Sequence, residues 1–140
     1  MPATPPLLTA GGDIYPCRIV KQSTAADFQA LQATANDRPI GISYDGGKYA
    51  PLSDLVSDNP HAEDGDPVGL YSDGEQCLLE LGGTVTRGGR IKADANGKGV
   101  AIATTGTTIQ HFIAEALESG VSGEKIRVYI HRGSERPALT

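Results

Sequence analysis

Turn chemistry interrupts this chain so often that no apolar stretch is left long enough for more than a short strand. Its 140 residues hold 18 Gly and 9 Pro, and Asp45-Gly46-Gly47, Ser72-Asp73-Gly74, Gly82-Gly83, Asn96-Gly97 and the pair Gly120 and Gly123 punctuate it throughout. Asp-Gly and Asn-Gly supply the positive φ that tight hairpins require. Between these signals lie short runs at 14–22, 39–44 (PIGISY), 68–71, 77–81 (CLLEL), 84–86, 90–93, 99–104, 108–117 and 125–131 (KIRVYIH). In the last, Ile126, Val128 and Ile130 face one way and Lys125, Arg127, Tyr129 and His131 the other, which is the period of a half-buried strand. Short strands at even spacing with Gly at the corners predict an all-β domain, a small β-barrel or sandwich. Its expected core is Ile14, Ile19, Ile40, Ile42, Leu79, Ile91, Ile102, Ile113, Ile126, Val128 and Ile130.

One segment reads two ways. In 24–36 (TAADFQALQATAN), Thr24 and Asp27 can form a capping box while Phe28, Leu31 and Ala35 share a helical face. The segment nevertheless lies between strand-like runs, so the reading preferred here makes 28–33 the middle strand of a meander. An internal echo accompanies it. Gly11-Gly12-Asp13-Ile14 opens a stretch that ends in Ile40-Gly41-Ile42-Ser43, and Gly88-Gly89-Arg90-Ile91 opens one that ends in Ile113-Ala114-Glu115-Ala116. This suggests two related β motifs folded against each other, or simply the frequency of Gly-Gly in β proteins.

The ends and the charges bound what the chain can bind. Residues 1–12 carry three prolines and, as their sole apolar patch, Leu7-Leu8, so they predict an extended arm in which Pro5, Pro6, Leu7 and Leu8 await a partner surface. The single β domain then spans 13–131, and 132–140 is a polar tail. A net charge of -5 removes the electrostatic footprint of a nucleic-acid binder. No run is long enough for a membrane helix and no secretory signal opens the chain, which predicts a soluble, unprocessed protein. Residues 51–86 contain no Lys or Arg but eight acids, whereas Arg87, Arg90, Lys92 and Lys98 cluster just beyond. Patches of opposite sign can guide self-association or docking, or merely keep a loop soluble.

Candidates for chemistry are few. His61 beside Glu63, Asp64 and Asp66 could hold a hard cation, but the string lacks the order of an EF-hand and reads better as a solvated acidic loop. His111 and His131 fall in strands without a nucleophile elbow, and GGTVTRGGR and ANGKG match no phosphate-binding fingerprint, so hairpin corners are the better account. Cys17 and Cys77 sit in apolar runs and are expected to be free, buried thiols. No catalytic residue, metal or cofactor is therefore expected.

The stretches 16–43 and 65–130, with the A-D-x-x-G-K-G-V-A hairpin of 93–101 and the A-x-E-x-x-x-x-G-E-K joint of 116–125, resemble the capsid decoration (cement) proteins of tailed bacteriophages, in particular small β-rich head proteins of cyanophages and related phages. The resemblance covers about residues 12–137. It implies a β-barrel or β-tulip-like domain, usually a homotrimer, seated on the outside of a phage head and gripping the major capsid protein, with no enzyme activity. Assembly would take place in the host cytoplasm. A carbohydrate- or receptor-binding module on a virion is the alternative, and with no Trp and five Tyr its means are thin.

Overall fold

The computed structural model describes residues 8–35, 37–45, 60–103 and 108–135, and every regular element among them is a strand. β1 (Thr9–Ala10), β2 (Ile19–Gln22), β3 (Gln29–Gln32), β4 (Pro39–Ser43) and β5 (Leu70–Tyr71) form one five-stranded sheet in the order β1-β3-β2-β4-β5. The second, β6 (Gln76–Glu80), β7 (Arg90–Ala93), β8 (Gly99–Ala101), β9 (Gln110–Ala116) and β10 (Lys125–Glu135), has the order β6-β10-β9-β7-β8. Each sheet closes on itself. In the second, the two edge strands meet through a parallel bridge between Leu81 and Gly99, with the Gly82 N–H on the Gly99 carbonyl at 2.9 Å. In the first, β1 runs parallel to β3 on one side and bridges Pro67, just before β5, on the other. The architecture is the small β-barrel that the turn spacing predicts, and closure leaves no long open edge.

The two barrels are copies of one topology. In both, the second and third strands form a hairpin, the fourth returns onto the second, the fifth onto the fourth, and the first lies parallel to the third. Equivalent hydrogen bonds extend this to single residues. The Gly11 N–H donates to Ala30 where Gly82 donates to Gly99, the Ala10 N–H to Asp66 where Leu81 donates to Glu124, and the Gly65 N–H to Ala10 where Gly123 donates to Leu81. The Ile14–Ala62 bridge matches Val85–Gly120. Ile40-Gly41-Ile42-Ser43 and Ile113-Ala114-Glu115-Ala116 do occupy the same place, as the sequence echo has it, but Gly11-Gly12 matches Gly82-Gly83 rather than Gly88-Gly89.

Burial follows the repeat. β2 is buried on both faces: Ile19 joins the main core with Ile42, Leu79, Leu81, Ile91, Ile113 and Ile126, whereas its neighbour Val20 lies in a smaller core with Ala10, Ile14, Ala30, Ala62 and Val68. Adjacent strand residues point to opposite faces, so the first sheet separates two cores. A β-bulge reverses the alternation on β4, where Val20 pairs with Gly41 but Lys21 with Pro39, leaving Ile40 as the extra residue. Ile40 thus packs on the small core and Ile42 on the main one.

Several expectations change. The run 14–22 is not one strand, because Pro16 and Cys17 turn the chain, with Cys17 at φ 58°, between the Ile14 bridge and β2. Ser72-Asp73-Gly74 makes a turn, closed by the Glu75 N–H on Ser72 at 3.1 Å, but not a hairpin: β5 and β6 belong to different sheets, and the turn passes the chain from one barrel to the other. Residues 82–90 are likewise no hairpin corner, because their flanking strands β6 and β7 do not pair. Ile40 and Ile102 are half-buried rather than core. The segment 28–33 is strand, as preferred, over β3, but Phe28 itself is an exposed turn residue. Finally, β10 continues to Glu135, beyond the expected end at His131, by a register shift after Ile130 that keeps Gly133, Ser134 and Glu135 paired with β9.

Candidate interaction surfaces

The polar side chains that come together join the chain to itself. Ser43, fully buried, donates its hydroxyl to the Tyr15 carbonyl at 2.6 Å and accepts the Arg18 N–H at 3.0 Å. Gln110, also buried, accepts from Lys92 Nζ and the Ala103 N–H and donates to the Ala103 carbonyl. The Nε2 of His61 accepts the Gly69 N–H at 3.0 Å, which gives this ring a structural role, and among the described residues no three His, Cys, Asp or Glu side chains gather as a cation site. His111 Nδ1 lies 2.7 Å from Ser134 Oγ, and the His131 ring lies beside Phe112.

The oppositely charged segments meet at one pair, Glu80 with Lys98 at 3.2 Å, and otherwise find partners elsewhere in the molecule: Glu80 also takes Arg18 at 3.2 Å, Asp73 takes Arg132 at 3.0 Å and Arg90 takes Glu135 at 3.1 Å. Glu75 and Asp66 accept main-chain N–H groups in their own turns. The acidic stretch is therefore not a continuous open face over its described part. The Arg132 amide and guanidinium hold the Asp73 carboxyl below the ordinary carboxylate range. Arg38, Pro39, Asp73, Arg132, Gly133 and Ser134 line an open cleft of about 240 Å³, in which Arg38 and the Asp73-paired Arg132 are both exposed.

Cys17 and Cys77 are both free and buried, as the sequence predicts. Burial raises both thiol pKa values, that of Cys77 to about 12 with Cys17 adding to the effect, so both remain protonated and unreactive at neutral pH.

Pro5, Pro6 and Leu7 lie outside the described residues. Leu8 does not wait for a partner: it is half-buried against the small core and its carbonyl accepts the Val68 N–H at 2.9 Å. The next two residues are β1, so the part of the expected arm that is described is barrel wall.

The exposed apolar groups sit elsewhere. On the outer face of the second barrel, Leu78 stands opposite Arg127, the Leu117 N–H donates to the Arg127 carbonyl, and Tyr129 lies between Gln76 and Glu115. Phe28 projects from the β2–β3 turn, 55% exposed and at φ 54°, a backbone state that costs a bulky L-residue about 1–2 kcal/mol. Sequence reading missed it because 28–33 reads as one strand with Phe28 at its start. With Gly11-Gly12 laid on Gly82-Gly83, Asp27-Phe28 falls on the Asn96-Gly97 turn, a register the sequence echo did not have.

The fold is thus a tandem pair of five-stranded barrels, with the first sheet lying between a main core and a smaller one. No protein-family model and no curated protein matches the sequence. Among solved structures, the N base of head fiber gp8.5 of bacteriophage phi29 is similar in fold, with a TM-score of 0.55 at 14% sequence identity over 89% of this chain and 90% of that one.

Proposed function

We propose that this chain is a structural protein of a phage virion, a decoration protein that seats on the outer surface of the head as a homotrimer and holds neighbouring copies of the major capsid protein together. The observation that carries the reading is the fold shared, over nearly the whole of both chains, with the base of a phage head fiber. The sequence resemblance to head decoration proteins, over about residues 12–137, points the same way. The geometry is compatible: buried polar groups satisfy the main chain, and the exposed apolar groups among the described residues lie on sheet face and turn tip, the means of a protein that acts by covering a surface. A homotrimer presents three identical contacts to a lattice with three-fold axes. Assembly would occur in the host cytoplasm.

Carbohydrate binding is less well supported. Tyr15 lies under the Arg18 guanidinium, and the exposed rings among the described tyrosines are Tyr44, which packs against Tyr71 and His61, and Tyr129. The decisive experiment mixes purified protein with expanded empty capsids and counts bound copies by cryo-electron microscopy. Saturable binding in threes with a raised capsid melting temperature is expected, and an absence of binding overturns the reading.

A further inference from the structure

The two barrels of one chain meet at a hairpin tip. In the second barrel the β7–β8 tip, Asn96-Gly97, docks on the end of the first barrel's β2–β3 pair. The Gly97 carbonyl accepts the Ile19 N–H at 2.8 Å, and the Asn96 carbonyl accepts Arg18 Nη1 at 2.9 Å and Gln32 Nε2 at 2.8 Å. Under this cover Ile19 and Ala33 are completely buried. The relation is one-way. The equivalent tip of the first barrel, Asp27-Phe28, makes no hydrogen bond to the second barrel among the described residues and both its side chains are exposed, and its equivalent receiver on the second barrel, formed by Gly89, Arg90, Ala101 and Ile102, stays partly or fully exposed. The equivalence of the receivers is fixed by the Ala33 N–H bonding to Ile19 as the Ile102 N–H bonds to Arg90.

Tip and receiver differ together between the barrels. Where the receiver carries the polar hooks Arg18 and Gln32, the tip offers bare main-chain carbonyls. Where the hooks are replaced by Gly89 and Ala101, the tip carries a large apolar ring and a carboxylate. We propose that the Asp27-Phe28 tip of one copy docks on the Arg90, Ala101 and Ile102 surface of a second copy, Phe28 packing on Ile102, and Asp27 joining Glu135, which pairs with Arg90 at 3.1 Å within the chain, as a second carboxylate on that guanidinium. Thr9 already occupies the Phe28 carbonyl at 2.9 Å, so side chains carry this contact where main chain carries its intramolecular counterpart. An exposed aromatic held in a left-handed turn is the kind of rigid anchor that dominates small interfaces. The contact is head-to-tail, so a closed ring uses every tip and leaves none open. It rests on the reading that this protein associates with itself, and a ring of three uses the contact three times.

The test measures the mass of the full chain by light scattering across a concentration series, with thermal melting as the control for folding. Wild type is expected to be trimeric. Phe28→Gly should raise the concentration for half-association at least tenfold while melting no lower, because glycine relieves the backbone. Asp27→Lys should weaken association, because it sets a second cation against Arg90. Oxidation of the Phe28→Cys, Ile102→Cys double variant should give chains linked between copies. A wild-type monomer overturns both this contact and the trimer. A trimer indifferent to Phe28→Gly, with no linkage in the cysteine variant, overturns the contact and leaves the trimer standing.

Discussion

Gly97 meets Ile19 through a main-chain hydrogen bond of 2.8 Å, which lays the tip of a second-barrel hairpin against the first barrel. Gly97 is at φ 74°, and a Cβ there would stand 2.8 Å from Gln32 Cγ, 3.1 Å from the Ile19 carbonyl and 3.2 Å from that of Ala33. Two of these neighbours are backbone and cannot step aside.

Replacing Gly97 with Ala should therefore combine the left-handed penalty of about 1 kcal/mol with a steric one, for a total of roughly 2–4 kcal/mol. Gly123 is the control: at φ 91° it has no atom within 4 Å of a built Cβ, so Gly123→Ala should cost only about 1 kcal/mol. Denaturant titration of the two variants reads the difference, and equal losses would mean that the barrels do not press together at Gly97.

The thiols make stability fall in alkali. Burial and the neighbouring Cys17 push the Cys77 thiol up to about 12 in the folded protein, above its value in the unfolded chain. A group with a raised folded pKa contributes stability that is complete below the unfolded value and is lost as pH climbs through the folded one, here between about pH 9 and 12. Unfolding free energy should decline across that window in wild type, and less steeply in Cys77→Val. At pH 8 both cysteines should resist iodoacetamide until the protein is unfolded.

The carboxylates act at the other end of the scale. Burial opposes ionisation of Asp37, but its bonds to the Thr34 hydroxyl, to Lys21 at 2.9 Å and to the Thr34 N–H prevail and lower its pKa. Stability from such a group is present above the unfolded value, about 4, and disappears as pH falls through the lower folded one. Asp37→Asn should cost about 1 kcal/mol at pH 7 and progressively less as pH falls below about 4. Asp73 behaves alike in sign, but its side chain is half exposed, so Asp73→Asn should cost less than Asp37→Asn.

Most strands were legible because alternation is a local property. Ile126, Val128 and Ile130 declare the buried face of β10 without help from the rest of the chain, and Asn96-Gly97 announces its hairpin. Which strands pair was not legible. Ser72-Asp73-Gly74 has the chemistry of a hairpin turn, yet the hairpin is absent because β4 and β10 offer β5 and β6 better partners in separate sheets. Bulges hid a second layer, since Ile40 and Ile42 share a strand parity and face different cores only because one residue of β4 is unpaired. The surfaces for partners were the least legible: Phe28 is exposed for a reason that appears only when the two barrels are laid over one another, and Leu8 was assigned to a partner because β1 is too short to show a period.

That correction at Leu8 divides the N-terminus into two parts with different expected behaviour. Residues 2–7 lie outside the described residues, and removing them should leave the melting temperature within a degree or two while weakening attachment to heads if Pro5, Pro6 and Leu7 touch the capsid. Removing 2–10 is another matter. It takes away Leu8 and all of β1, and with them the Thr9 N–H bond to Phe28, the Ala10 N–H bond to Asp66 and the Val68 N–H bond to Leu8. The first barrel then loses the strand that closes it, and the small core loses buried Ala10 and half-buried Leu8. Burial of a leucine contributes about 1.5–3 kcal/mol and each main-chain bond about 1 kcal/mol, so the longer deletion should lower stability by roughly 3–6 kcal/mol. Thermal melting of the two truncations separates the effects. Equal melting of both would mean that β1 does not close the barrel, and full head binding by the shorter truncation would mean that Pro5, Pro6 and Leu7 do not grip the capsid.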